Sequence, residues 1–194
     1  MWVLVELEKE LPKQIGPPRN EQPIVIFTDG ACEESGTSVG GVLVRPDGST
    51  ECFGFVVPEQ VTDSWKTKDG QSQVIGQAEL FPVLVARWTW QEEIAGKRVI
   101  YFVDNESARL ALVKCYSPVL PSLHIILDCL EFDQCFSSSP WYARVPTYSN
   151  VADDPSRLVV PRALSERGCI VVSPKSSPSY IKRNNFKLGS LRTL

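Results

Sequence analysis

The chain has no long apolar run. Its N-terminus offers only Trp2-Val3-Leu4-Val5 before Glu6 and Glu8 interrupt it, which is too short for a secretion signal or a membrane span. No later stretch approaches the length a bilayer demands, so no membrane association is expected, and an intracellular, cytoplasmic or nuclear, setting is. Paired cysteine motifs are missing too. Cys32, Cys52, Cys115, Cys129, Cys135 and Cys169 form no C-x-x-C pair and have no His partner, and a chain this large needs no disulfide staples, so a reducing compartment is favoured. Histidine is nearly absent: His124 stands alone, in a helical stretch, and reads as an ordinary interior or surface residue. Basic charge is also short. With 20 Lys and Arg against 23 Asp and Glu the net charge is -3, which weighs against a strongly basic nucleic-acid binder. Bound divalent cations would reverse the field wherever the acidic side chains cluster.

What is present fits one globular domain. A chain of 194 residues that is 43% apolar and 22% charged can bury a sizeable core. Residues 1–23, with Pro12, Pro17, Pro18 and Pro23, read as a linker or wrapping arm, residues 24–168 as the folded unit, and residues 169–194 as a basic tail. From Ser173 onward that tail shows little periodicity and is expected to be disordered or loosely attached. A monomer is expected.

Within the folded unit, IVIFTDGA and VIYFVDNESAR each begin with an unbroken β-branched and aromatic run and read as buried strands that end at Asp29 and Asp104. Gly40 to Val44 and Glu51 to Val57 read as two further strands around a Pro46-Asp47-Gly48 turn, giving an antiparallel meander. Pro58 to Gly76 is polar and reads as a long surface loop. Leu80, Leu84 and Trp88 mark one face of a helix from Gln77 to Ala95, in which Pro82 fits only if it lies in the first turn. Asn105 is placed to cap a short helix through Cys115. Ser122 to Phe136 reads as a helix, Trp141 to Val145 as a last strand and Ser156 to Arg167 as a last helix.

Four acidic positions fall on this frame in a telling order. Asp29 and Asp104 end neighbouring strands, where open α/β sheets keep their ligands; Glu79 starts a helix; Asp153 lies in a turn before the last helix. An Asp in such a crevice costs too much to bury unpaired. Hard oxygen ligands of this kind suit Mg2+ or Mn2+ rather than zinc. Each position also has a plainer reading: Asp29-Gly30 as a turn, Glu79 as complement to a helix dipole, Asp104-Asn105 as a cap, Asp153 and Asp154 as an N-cap pair.

The strings FTDGA, QAELFPVLVA, VDNESARLAL and VPTYSNVADDPSRL, from about Ile24 to about Leu164, together resemble the ribonuclease H-like family, and most of all the ribonuclease H domains of retroelement reverse transcriptases. The resemblance implies an α/β fold with a five-stranded mixed sheet, three antiparallel strands then parallel ones, and helices on both faces. It implies hydrolysis of the RNA strand of an RNA–DNA hybrid with two Mg2+ or Mn2+ ions held by Asp29, Glu79, Asp104 and Asp153, Asp154 being the alternative fourth ligand. Gly30, Ala31, Cys32, Gln77 and Asn105 would face the hybrid's minor groove. Trp65, Lys66 and Lys68 would track phosphates of the other strand, and an upstream reverse transcriptase domain would be a partner. Two departures stand out. The loop before the last Asp reads Pro146-Thr147-Tyr148-Ser149 where many cellular members carry a His, so altered turnover is expected. Pro82 replaces the small or apolar residue usual just after the Glu. A non-catalytic nucleic-acid-binding or connection module, and a 3′–5′ exonuclease or integrase on the same fold, are the competing readings.

Overall fold

The apolar run that opens at Ile24 does not stop at Asp29. In the computed structural model, which describes residues 21–34, 36–66, 74–160 and 162–184, it continues as β1 (Ile24–Glu33). β2 (Gly36–Val44) and β3 (Thr50–Val56) complete an antiparallel meander in the register Asp29↔Gly40 and Gly41↔Phe53. The β2–β3 turn is the expected one: Gly48 takes φ 84° and donates to the Arg45 carbonyl at 2.9 Å, while Asp47 accepts from the Ser49 amide at 2.8 Å.

On the other side of β1, β4 (Arg98–Val103) and then β5 (Ser139–Arg144) add in parallel. The parallel ladder ends at Thr28↔Val103, so Asp29 and Asp104 leave it side by side even though β1 runs on. The sheet has six strands rather than five. β6 (Ile170–Val171) pairs in parallel with β3 at the far edge, giving the order β5-β4-β1-β2-β3-β6. Two residues are too few for a period to be read from sequence.

One face of the sheet carries most of the core. Ile26, Leu43, Phe53, Phe55, Phe81, Leu84 and Tyr101 are all fully buried there, beneath α1 (Glu59–Trp65), α2 (Ile75–Thr89) and α5 (Leu120–Cys135), with α3 (Gln91–Ile94) and α4 (Glu106–Lys114) beside them. Every residue of α2 from Gln77 to Arg87 is buried, which is why its sequence is apolar nearly all round. The opposite face is thinner: Val42, Cys52 and Ala152 are buried under α6 (Asp153–Ser156), with Leu164 of α7 (Arg162–Ser165) packed against them.

Five further expectations are corrected. The span from Pro58 to Gly76 is not all loop, since it contains α1. The helix expected from Gln77 to Ala95 breaks at Trp90 into α2 and α3, and Pro82 lies inside α2 rather than in its first turn. Proline has no amide hydrogen, so the Ala78 carbonyl loses its usual helical partner. Gly30 of β1 lies against that carbonyl: a Cβ at Gly30 would stand 2.2 Å from the Ala78 oxygen. The helix expected from Ser156 to Arg167 is two single turns, α6 and α7. The tail is not loose over its described part. α8 (Pro178–Asn184) buries Tyr180, whose hydroxyl accepts from Trp65 Nε1 at 2.7 Å, and Arg183 grips Asp128 with two bonds of 3.1 and 3.3 Å.

A buried ion pair sits within the main core. Arg87 is fully buried, forks onto Asp133 at 2.9 and 3.2 Å, donates to the Tyr142 hydroxyl at 2.6 Å and stacks 4.5 Å from the Tyr101 ring centre. Among the described residues, no helix is long and apolar enough to cross a membrane.

Candidate metal centre

Where the β1–β4 ladder ends, three carboxylates meet. Oxygens of Asp29, Glu79 and Asp104 all lie within 4.8 Å of one another. Asp29 comes from β1, Asp104 from the residue after β4, and Glu79 from the second turn of α2, which crosses the sheet at Gly30. The absence of a side chain at Gly30 lets α2 come close enough to bring Glu79 to the strands.

The electrostatics of the cluster are unbalanced. Asp29 and Glu79 are only 5% and 7% exposed, and burial together with the neighbouring carboxylates raises Glu79 to about 9. Asp29 is pushed up to about 6, chiefly by burial and further by Asp104 and Asp153, against the lowering effect of the Ser156 hydroxyl. Glu79 Oε2 and Asp104 Oδ1 are buried with no hydrogen-bond partner among the described residues. Three carboxylates this close, two of them with a buried oxygen that has no partner among the described residues, fit a hard divalent ion of the Mg2+ or Mn2+ type.

Asp153 lies outside that close group. It sits half-exposed at the start of α6, facing Arg157, whose nitrogens lie 3.3 and 3.4 Å from its oxygens, and Arg157 also reaches Glu33 at 2.9 Å. Its charge is nonetheless felt at Asp29. Asp154 is exposed.

Three residues that motif reading leaves out hold Asp29 in place. Ser156 donates its hydroxyl to Asp29 Oδ2. Asn150 Nδ2 faces Asp29 Oδ1 at 3.4 Å and donates to the Thr28 carbonyl at 3.2 Å, while its own Oδ1 accepts from the Ala152 amide at 3.2 Å. Gly40, opposite Asp29 in the ladder, makes room for α6: a Cβ there would stand 2.3 Å from the Ser156 nitrogen and 2.5 Å from the Pro155 carbonyl carbon. Asn150 and Ser156 stand in the string VPTYSNVADDPSRL, which gives them no role of their own, and Gly40 is signalled by the glycine pair Gly40-Gly41 inside a strand, a mark of close backbone approach.

The expected substrate contacts divide. Gly30 and Ala31 are buried in the β1–β2 ladder beyond Asp29, and Cys32 is exposed with its sulfur 3.7 Å from the Thr37 hydroxyl. Gln77 is buried, and its Oε1 has no hydrogen-bond partner among the described residues. Asn105 caps α4, accepting from the Ala108 amide at 3.0 Å, so its carbonyl oxygen is committed to the helix. Trp65 is a correction. It is 2% exposed, stacked edge-on to Phe81 and bonded to Tyr180, so it is a core residue and not a phosphate tracker. Its polar surroundings in sequence hid a partner that lies 115 residues away. Lys66 is exposed and paired with Asp63 at 2.6 Å, and Lys68 lies outside the described residues. In the loop before Asn150, a short 3₁₀ turn (Thr147–Ser149) leaves Tyr148 almost wholly exposed.

No family sequence model and no curated protein sequence matches this chain. Solved structures do. LC11-RNase H1, isolated from compost by a metagenomic approach, superposes with a TM-score of 0.54 at 16% identity, covering 73% of this chain and 98% of that one. The same protein in complex with an RNA/DNA hybrid gives 0.52 at 16% identity, covering 73% and 99%. The fold is ribonuclease H-like. The RNase H1 of the halophilic archaeon Halobacterium salinarum NRC-1 matches at 18% identity over 70% of this chain and 96% of its own length, with a TM-score of 0.48. At these identities the likeness concerns the arrangement of the elements; the chemistry has to be argued from the residues above.

Proposed function

We propose that this chain is a divalent-metal-dependent nuclease that hydrolyses the RNA strand of RNA–DNA hybrids. The observation that carries this reading is the meeting of Asp29, Glu79 and Asp104, with buried carboxylate oxygens left without partners, at the end of the parallel ladder of a ribonuclease H-like sheet. Two bound divalent ions would supply an activated water and stabilise the leaving oxygen of the phosphodiester.

The chain's own residues do the positioning. Asp29, pinned by Ser156 and Asn150, offers its oxygens between Glu79 and Asp104, and Ser156 keeps one of them from turning away. Glu79 and Asp104 would hold the ion on the leaving-group side, and Asp153 at the rim, which now faces Arg157, would hold the ion on the side of the attacking water. Gln77, two residues before Glu79 on α2, has an acceptor without a partner among the described residues, as recognition of a 2′-hydroxyl would need. Gly30, Ala31 and Cys32 on the β1–β2 arm and the exposed edge of Asn105 complete the hybrid-facing surface. The run Ala152-Asp153-Asp154-Pro155-Ser156-Arg157 supports Asp153 over Asp154 and a retroelement origin, with a reverse transcriptase domain upstream.

The test is cleavage of an end-labelled RNA–DNA hybrid with Mg2+ or Mn2+, beside single-stranded RNA, duplex DNA and the substitutions Asp29→Asn and Asp104→Asn. RNA-strand products that need both the cation and both carboxylates are expected. Cleavage of DNA alone would replace this reading with an exonuclease or integrase-type one, and binding without cleavage would leave a non-catalytic module.

A further inference from the structure

Two cysteines meet away from the carboxylate cluster. Cys52, on β3, is fully buried, and Cys169, the residue before β6, is partly exposed. Cys52 forms a thin apolar cluster with Val42 and Ala152, and Cys169 packs against that same cluster. The segment that brings Cys169 there is weakly fastened. β6 pairs only through Glu51↔Ile170 and Cys52↔Val171, helped by the Val172 amide donating to the Cys52 carbonyl at 2.9 Å, and both β6 side chains are largely exposed. Gly168, just before Cys169, takes φ +77° with open space around it, so the backbone there is able to shift as the two sulfurs close to the bonded distance of about 2 Å.

We propose that Cys52 and Cys169 form an oxidation site, at which a peroxide converts the two thiols into a disulfide that fastens β6 and the segment after it to β3. Cys169 is the sulfur that solvent reaches first. It attacks one peroxide oxygen; an S–O bond forms, the O–O bond breaks and one water leaves, giving a sulfenic acid. The Cys52 sulfur then attacks the Cys169 sulfur; the S–S bond forms, the S–O bond breaks and a second water leaves. Two thiols give up two hydrogens, and hydrogen peroxide is reduced to two waters. Burial holds the Cys52 thiol up at about 12, so it is protonated and does not meet peroxide as a thiolate; when its sulfur attacks Cys169, its proton passes to the departing hydroxyl, which leaves as water.

The chain in full is treated with hydrogen peroxide near neutral pH, digested without reduction and analysed by mass spectrometry. The expected product is a linked pair of peptides carrying Cys52 and Cys169, two hydrogens lighter than their sum. Thermal midpoint should rise by about 5–10 °C on oxidation and return with dithiothreitol, because a bond closing so long a loop restricts the unfolded chain. Cys169→Ser should lose both the linked peptides and the rise, and Cys135→Ser should keep both. Since Cys52→Ser places a hydroxyl in an apolar cluster, Cys52→Ala serves as the second variant. Recovery of Cys169 only as a sulfinic acid, its linkage mainly to Cys32, Cys115 or Cys135, or a rise that persists in Cys169→Ser would overturn the proposal.

Discussion

Two buried acidic settings in this molecule are built in opposite ways. At Asp133 a fully buried Arg87 supplies a fork of hydrogen bonds, with the Tyr142 hydroxyl and the Tyr101 ring completing the shell. At Asp29, Glu79 and Asp104 three carboxylates share a pocket with one serine hydroxyl and one amide facing Asp29, and oxygens of the other two are unmatched. The first setting is electrically complete and serves the fold. The second lacks a positive charge that the described chain does not provide, which is how a protein stores an appetite for a cation at the expense of its own stability.

The contrast is sharpest at Glu79. Glu79→Gln should reduce hybrid cleavage by at least about 100-fold, equivalent to roughly 2.7 kcal/mol of transition-state stabilisation. Measured near neutral pH without divalent ions, the same variant should melt higher than the parent chain, because Glu79, raised to about 9 in the folded state, must take up a proton on folding and glutamine need not. A lower melting point in the ion-free variant would break the comparison. Arg87→Met is the counterpart. It strands Asp133 without a partner and should cost about 3–5 kcal/mol in denaturant unfolding, with added Mg2+ restoring nothing at that position.

pH separates the settings next. Asp29 and Glu79 have folded-state values of about 6 and about 9, above those of an unfolded chain, so the native state keeps protons that the unfolded state has lost. Stability of the ion-free protein should therefore fall as pH rises from about 4 towards 9, and the stabilisation conferred by Mg2+ should grow over the same interval. Thermal melts across that range, with Mg2+ and with a chelator, give the check; a flat ion-free profile would mean the carboxylates are solvated. The smallest effect belongs to Ser156→Ala. Losing one hydroxyl from Asp29 should cost about 1 kcal/mol in unfolding and weaken Mn2+ binding measured by calorimetry, whereas Ser38→Ala, whose hydroxyl serves only the Ser156 carbonyl, should leave the ion affinity unchanged.

Much of this frame is legible in the residues because its signals are local. Apolar runs mark β1 and β4, Pro46-Asp47-Gly48 marks the β2–β3 turn, and Asn105 marks the start of α4. What hides is whatever depends on distant partners or on very short elements. Trp65 sits beside Lys66 and reads as surface until Tyr180 closes over it. β6 and α6 are too brief to show a period, and the polar, basic composition after Ser173 masks Tyr180, which anchors the described part of the tail. Within the cluster, residue type and order point to Asp29, Glu79 and Asp104, but the support from Ser156 and Asn150 and the clearance at Gly40 emerge only once α6 is laid across β2.

The Trp65–Tyr180 clasp has a consequence during synthesis. Until Tyr180 has left the ribosome, the rings of Trp65 and Phe81 lack their cover, so a nascent chain that has already formed its sheet still shows an adhesive aromatic surface. Shortening the polypeptide at Ser173 would make that unfinished condition permanent.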